Sequence, residues 1–333
     1  MSNDAPHPHE PLVVVTTDHL RPGDAADTLL RSAGLRTLHA PLTGVRPPGE
    51  LISRLESATA ALVGNEHMTK GVFERLPELR VVVRTGVGYD SIDVEAASEH
   101  GVTVSNLPGV NAIAVAEYTI GLLLSGARRL ATNAHLVRHG EWPRAEGQEL
   151  RGSVLGVIGY GAAGREVVAL ATALGMRVLC ATSTPPSPHS HDGEVRFVDL
   201  HTLLAESDYV TIHTALTAET EGLIDAAAIA RMRPGTVLVN TARGPIVDEQ
   251  ALVEAVRSGH LRGAELDVVD TEPLPPESPL RGVPGINVYP HMAGQTAQAR
   301  QDAGLRGAQE VIDSLAGRPR WALNADATVV ART

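Results

Sequence analysis

Short apolar runs rich in β-branched residues recur along the whole chain, each followed by a stretch with helical spacing. In the first third, Leu12–Thr17, Leu35–Ala40, Ala60–Gly64, Arg80–Thr85 and Thr103–Asn106 read as strands, with a helix over Asp24–Ala33 stopped by Gly34. In the second half the candidates are Val154–Gly159, Arg177–Thr182, Tyr209–His213, Thr236–Thr241, Gly263–Val268 and Ile286–Pro290. A strand with one wet face alternates apolar and polar residues. These runs are continuously apolar, as in parallel strands covered by helices on both faces. The pattern predicts an α/β protein with two doubly wound parallel sheets, the second having six strands.

Two longer Ala/Leu-rich patterns frame that second sheet. Asn111–His139 reads as one helix carrying the chain between the halves, and Thr296–Leu315 as a helix after the last strand. A tail returning to the first half makes that domain discontinuous: 1–107 plus 300–333 for the first domain, 108–299 for the second. Asp248 is placed as N-cap of a helix over Glu249–Ser258, with Gly259 at its C′ position. Residues 1–10 read as a disordered lead-in, and the Pro-rich stretches Thr184–Pro188 and Pro273–Pro279 as single loops.

A length of 333 residues agrees with two cores rather than one. The net charge of −11 argues against nucleic acid and anionic membrane surfaces as partners. A small anion remains a possible ligand, because a few Arg side chains or a helix N-terminus can hold one. Cys180 is the sole cysteine, which excludes an intramolecular disulfide and a thiolate metal cluster and fits a reducing compartment. No metal site is expected. Met1–His9 has neither the basic nor the apolar region of a signal peptide, and no apolar run is long enough to span a bilayer. A cytoplasmic protein is expected.

Three segments carry chemistry. Gly159-Tyr160-Gly161-Ala162-Ala163-Gly164 follows an apolar strand and opens a helix over Arg165–Leu174. In that setting the first glycine allows a tight turn, the second admits a pyrophosphate to the backbone, and the third lets helix and strand pack closely. A tight strand-to-helix turn without a ligand is the competing explanation. Arg243 falls where the fourth strand of the second sheet ends, the side on which open α/β sheets bind ligands. Its fork suits a carboxylate, although a surface pair with Asp248 would also explain it. Glu272 and His291 follow two further strand ends. A carboxylate beside an imidazole fixes its tautomer and favours its charged form, which makes a general acid/base.

Six segments in order resemble the D-isomer-specific 2-hydroxyacid dehydrogenase family: Arg84–Asp90, Asn106–Asn111, the glycine loop, Asn240–Gly244, Leu266–Pro273 and Pro290–Ala293. The resemblance runs from about Arg80 to Leu323 and, over residues 11–79, rests on the strand–helix pattern alone. It implies a Rossmann cofactor domain, a flavodoxin-like substrate or lid domain, and a deep cleft between them. It implies a catalytic triad in which His291 exchanges the proton, Glu272 is its partner, and Arg243 anchors the carboxylate and carbonyl of a small anionic 2-oxo or 2-hydroxy acid. The Val87 and Gly88 amides become a second carboxylate clamp, and Arg84 a contact for a further acidic group, unless it bridges surface carboxylates. Asp267 would accept from the nicotinamide carboxamide. His213, Thr214, Thr220, Thr241, Ala242 and Ala293 would line the cofactor, with Thr182 and Ser183 at its ribose. The family also implies a homodimer through the cofactor domain, using the helix after Asn111 and the loop around Trp142. The regulatory domain of longer phosphoglycerate dehydrogenases is not expected after Thr333.

The sequence departs from the family pattern in three places. Ala162-Ala163 stand where Arg-Ile is common, Ala215 stands where Pro is usual, and Thr182-Ser183-Thr184 replaces the acidic residue expected after the second strand. NAD is the default cofactor, and NADP is plausible because that acid is missing. Within the fold, phosphite-type or other phosphorus-acid oxidation is an alternative, as is a dinucleotide-sensing corepressor that keeps the triad. Formate dehydrogenases carry an amide where Glu272 stands.

Overall fold

The structure, a computed structural model, describes residues 10–42, 47–184 and 195–325. The lead-in and most of the Thr184–Pro188 loop lie outside these residues. In chain order the elements are β1 (Leu12–Val15), α1 (Ala25–Ser32), β2 (Arg36–His39), α2 (Pro48–Leu55), β3 (Ala60–Val63), α3 (Lys70–Phe73), β4 (Val81–Arg84), α4 (Val94–Glu99) and β5 (Thr103–Ser105). Then come α5 (Ala112–Arg128), α6 (Leu130–Arg138), β6 (Val154–Ile158), α7 (Ala162–Ala173), β7 (Arg177–Ala181), β8 (Val195–Phe197), α8 (Leu200–Glu206) and β9 (Tyr209–Ile212). The last are α9 (Ala226–Arg231), β10 (Val237–Asn240), α10 (Glu249–Arg257), β11 (Gly263–Leu266), β12 (Ile286–Val288) and α11 (Ala297–Leu315).

The chain forms two compact units, Met1–Asn111 with Thr296–Thr333, and Ala112–Gln295. The first division falls four residues later than the expected 107/108 boundary, because Leu107 and Val110 are buried in the first unit's core beside Val83 and Leu62. The second falls earlier than 299/300, at Thr296, whose hydroxyl caps α11 by accepting from the Ala299 N–H at 3.1 Å.

In the first unit five parallel strands run in the order β2-β1-β3-β4-β5. Successive strand residues point to opposite faces. Val14, Ala61, Val63 and Val82 pack with Leu51 and Phe73, while Val13, Val15, Leu62 and Val83 pack with Leu30, Ala308 and Val311. In β1, β3 and β4 two apolar layers leave no wet face, hence the absence of alternation there; the edge strand β2, Arg-Thr-Leu-His, is half-exposed. α11 holds the returning tail through Glu310, which is fully buried and accepts from the Ser105 hydroxyl at 2.8 Å and the Trp321 N–H at 3.2 Å.

In the second unit the order is β12-β11-β10-β9-β6-β7-β8, again wholly parallel. Seven strands are present where six were expected. The addition, β8, is only Val-Arg-Phe and half-exposed, too short for its pattern to stand out. The expected single helix over Asn111–His139 is also two helices, α5 and α6, broken at Arg129 in a left-handed conformation (φ 52°). No Gly or Pro at the break announces it. α7 begins at Ala162 rather than Arg165, so Gly164 belongs to its first turn. The strand order reverses between β6 and β9, which puts the glycine loop at the switch point where such sheets bind ligands.

Candidate active site

The glycine loop has a separate physical need at each glycine. Gly159 has φ +97°, and a Cβ there would stand 2.7 Å from the His213 carbonyl carbon. A Cβ on Gly164 would overlap the Gly159 carbonyl oxygen. Gly161 meets nothing within 4 Å and caps α7 without any side-chain hydrogen bond. The first N–H groups of α7 have no side-chain cap from Gly161 and lie at the positive end of a helix dipole, an environment suited to a pyrophosphate. The residues present fit a dinucleotide.

Around this loop, Tyr160 packs edge-on against Phe197 of β8 with ring centroids 5.1 Å apart. His213 and Thr214 form the floor beneath Gly159. Burial pushes His213 down to about 4, so it is neutral at neutral pH, with Nε2 3.0 Å from the Thr211 hydroxyl. The Thr220 hydroxyl is engaged in its own turn, donating to the Ala215 carbonyl at 2.6 Å. Thr241 lies 3.2 Å, oxygen to oxygen, from Thr119. Beyond β7, Thr182 is half-buried, Ser183 and Thr184 are exposed, and no carboxylate occupies residues 182–184.

Arg243, Glu272 and His291 follow the carboxyl ends of β10, β11 and β12. Asn240 shapes the first turn: its Nδ2 donates to the Arg243 carbonyl at 2.8 Å and its Oδ1 accepts from the Ala242 N–H at 3.0 Å. The Arg243 guanidinium donates to the Ala242 carbonyl at 2.7 Å. Asp248 instead caps α10, accepting from the Ala251 N–H at 2.9 Å. A Cβ on Gly244 would overlap the Val269 carbonyl carbon, so only glycine lets this turn lie against the segment leading to Glu272.

Glu272 Oε2 and His291 Nδ1 are 2.8 Å apart, and Glu272 Oε1 accepts from the Val269 N–H at 3.3 Å. Burial acts to raise the Glu272 carboxyl, but the hydrogen bond and charge of His291, the Val269 amide and the charge of Arg243 outweigh it. The group is held below the ordinary carboxylate range. With Nδ1 engaged, Nε2 of His291 is the end left to exchange a proton. Beside the pair lies a cavity of about 480 Å³ walled by Val269, Leu274, Val288 and Pro290.

His291 has a positive φ of 55°, which for a residue with a side chain costs about 1–3 kcal/mol. Asp267 holds it there. The Asp267 carbonyl accepts from the His291 N–H at 2.9 Å, and its buried carboxylate accepts from the Met292 and Ala293 N–H groups, each at 2.8 Å. Burial and the neighbouring Asp267 carboxylate push Tyr118 up to about 12. Asn240 and Gly244 entered the sequence reading only as the bounds of a segment, without roles of their own, and Tyr118 did not enter it. A polar residue closing an apolar strand was an available signal for Asn240; Tyr118 had none.

In the first unit Arg84 ends β4, its Nη2 bonded to Asn65 Oδ1, and its guanidinium fills the space a Cβ on Gly86 would need. Val87 is exposed and its carbonyl accepts from Asn106 Nδ2 at 2.6 Å. Among the described residues, neither the Val87 nor the Gly88 N–H has an acceptor.

The family described as "D-isomer specific 2-hydroxyacid dehydrogenase, NAD binding domain" matches residues 120–293. A hydroxypyruvate reductase of Thermotoga maritima is 37% identical over 252 residues, covering 74% of this chain and 81% of that protein. A D-3-phosphoglycerate dehydrogenase of Archaeoglobus fulgidus is 38% identical over 273 residues, 81% of this chain but 52% of that protein, so the chain spans about half its length. The crystal structure of the TT0316 protein from Thermus thermophilus superposes with a TM-score of 0.84 at 37% identity, covering 94% of this chain and 99% of that one. No helix among the described residues is long and apolar enough to cross a membrane. The chain belongs to the D-isomer-specific 2-hydroxyacid dehydrogenase family.

Proposed function

We propose that the protein is a nicotinamide-dependent dehydrogenase interconverting a small anionic 2-oxo acid and its D-2-hydroxy acid. The observation that carries this is the 2.8 Å contact of His291 with Glu272, within the electrostatic reach of Arg243 at neighbouring strand ends. The cofactor would supply or accept the hydride at C2. In reduction, His291 donates its Nε2 proton to the carbonyl oxygen while Nδ1 stays bonded to Glu272, whose negative charge offsets that of the imidazolium. In oxidation the same nitrogen takes the proton back. Arg243 pairs with the substrate carboxylate through its fork. Asp267 keeps lone pairs beyond those given to Met292 and Ala293, which suits an acceptor for the nicotinamide carboxamide.

NAD is the proposed cofactor by family habit, with NADPH also accepted. The single buried Cys180 supports a reducing, cytoplasmic setting. Ile113, Leu124, Leu130, Val137 and Trp142 are exposed on α5, α6 and the following loop, which supports a homodimer through that face. The test is turnover of glyoxylate, hydroxypyruvate, phenylpyruvate and phosphonate analogues with NADH and NADPH, with His291→Ala as control. Loss of a general acid/base is expected to lower turnover roughly 10²- to 10⁴-fold with cofactor affinity retained. Cofactor binding without turnover of any acid would replace this reading with dinucleotide sensing.

A further inference from the structure

His291 occupies a left-handed backbone conformation, and a residue with a side chain keeps one only where its surroundings over-determine it. The Asp267 contacts act on His291 itself and on the two residues after it. A second set acts on the residues just before it. The Tyr289 N–H donates to the Leu266 carbonyl at 2.8 Å, and the Tyr289 carbonyl accepts from the His291 N–H at 3.1 Å. The Tyr289 hydroxyl donates to Glu265 Oε2 at 2.7 Å, while Asn287 Nδ2, in β12, donates to Glu265 Oε1 at 3.0 Å.

Two periodicities bring these groups together. Glu265 and Asp267 alternate with Leu266 at the end of β11, so their side chains share one face of the sheet. Tyr118 and Ser125 are about two turns apart on α5 and share one face of a helix that packs on β11. Tyr118 stands beside the Asp267 carboxylate, and the Ser125 hydroxyl lies 3.4 Å from that of Tyr289. The Tyr118 and Tyr289 rings meet edge-on with centroids 6.2 Å apart. Burial pushes the Tyr289 hydroxyl upward and Glu265 adds to it, so this hydroxyl stays protonated and is the donor. Glu265 is itself buried, and both its oxygens are taken up by this one strand end.

We propose that Tyr289 and Glu265 are a positioning pair for His291: their bond fixes the chain just before the imidazole, as Asp267 fixes it just after, and so keeps Nδ1 on Glu272. The inference rests on His291 being the group that exchanges the proton. Held at its N–H by Leu266 and at its hydroxyl by Glu265, Tyr289 has both ends tied to β11. Its carbonyl, and with it the His291 N–H, is thereby kept from shifting along the sheet. Filling the space under α5 would need only the ring. The carboxyl adds direction, and direction matters to a reacting group, since a 1 Å misplacement costs up to roughly 10²-fold in rate.

Kinetics in both directions, cofactor titration and melting of the full chain are compared in parent, Tyr289→Phe and Glu265→Gln. Tyr289→Phe keeps the ring and removes the hydroxyl. Its kcat is expected to fall about tenfold, as for a small misplacement, with the affinity for the reduced cofactor, read by fluorescence titration, unchanged. In the oxidation direction the acid limb of kcat/KM should move to lower pH, because a slackened Glu272 contact favours the imidazolium less. A purely structural pair would lower the melting temperature and move neither reading. Glu265→Gln keeps an acceptor for the hydroxyl, and the Asn287 amide can turn to match it, so kcat near the parent value is expected. Should Tyr289→Phe not fold, Tyr289→Phe/Glu265→Leu removes both partners, strands no carboxyl and carries the same expectations. Parent-like kcat with superimposable acid limbs in the folded variant overturns the proposal, as does a loss in Glu265→Gln as large as in Tyr289→Phe. If the parent turns over no 2-oxo acid, or His291→Ala keeps its turnover, the role of His291 fails and this inference with it. The pair fails alone when His291→Ala loses turnover and Tyr289→Phe does not.

Discussion

His291 Nδ1 lies 2.8 Å from Glu272 Oε2, although the two residues stand on loops from different strands and His291 occupies a left-handed backbone conformation. The Glu272 carboxyl is held below the ordinary carboxylate range by His291, Val269 and Arg243 acting against burial. A depressed carboxyl stays ionised through neutral and weakly acidic pH, and the pairing is lost only as pH falls through that lowered value. A limb of the rate profile near neutrality therefore does not report Glu272.

Glu272→Gln keeps the shape and removes the charge. In the oxidation direction, where His291 must be unprotonated to take the proton, the acid limb of kcat/KM should move to lower pH by roughly one unit. Rate profiles of parent and variant, measured with one substrate, decide the matter. Superimposable acid limbs would mean that the two residues do not act as partners.

Gly244→Ala tests the approach between the Arg243 turn and the Glu272 segment. The added Cβ would overlap the Val269 carbonyl carbon, and backbone rather than a flexible side chain must yield. Overpacking of this kind costs about 1–3 kcal/mol. A lowered melting temperature is expected, together with a rise in substrate KM as Arg243 is displaced. Parent-like melting and kinetics would show that the two loops are less tightly coupled than the geometry implies.

The sheets were legible in the sequence because their strands are apolar on both faces, as Val13 and Val14 illustrate by entering different cores. The glycine loop was legible because each glycine answers a local steric demand. Long-range closeness was not. Nothing in the sequence pattern around Gly244 says that Val269 will press on it, and nothing at Tyr118 says that Asp267 will be its neighbour. The helix break at Arg129 was hidden for another reason: the left-handed residue is an arginine, which local preference alone would keep helical. β8 escaped because three half-exposed residues carry too little pattern.

Arg84 bears on substrate choice. Its guanidinium fits the space left by Gly86, immediately before the amides of Val87 and Gly88. A substrate with a second acidic group is the hypothesis this motivates. Arg84→Ala should raise KM about tenfold, the equivalent of 1.4 kcal/mol, for such a substrate and leave glyoxylate nearly unaffected. Comparison of KM for a phosphorylated or dicarboxylic 2-oxo acid with that for glyoxylate gives the answer. An equal effect on both would return Arg84 to a structural role with Asn65.

Cofactor choice turns on the residues at the carboxyl end of β7. An acidic residue about 20 positions beyond the glycine loop usually accepts from the adenosine ribose hydroxyls and repels a 2′-phosphate. Here the strand ends at Ala181, followed by Thr182, Ser183 and Thr184, whose hydroxyls repel nothing. No arginine stands among these three residues to attract a phosphate either. Neutral hydroxyl hydrogen bonds contribute only about 0.5–1.5 kcal/mol each. Weak discrimination is the expected result, with kcat/KM for NADPH within about tenfold of that for NADH, or 1.4 kcal/mol. Replacing Thr182 by Asp should then shift the preference toward NADH, because it introduces the missing charge at the strand end. Measuring kcat/KM for both cofactors in parent and variant on a single 2-oxo acid checks both statements. A thousandfold preference for NADH in the parent would require a carboxylate elsewhere to guard the ribose, and Thr182→Asp would then change little.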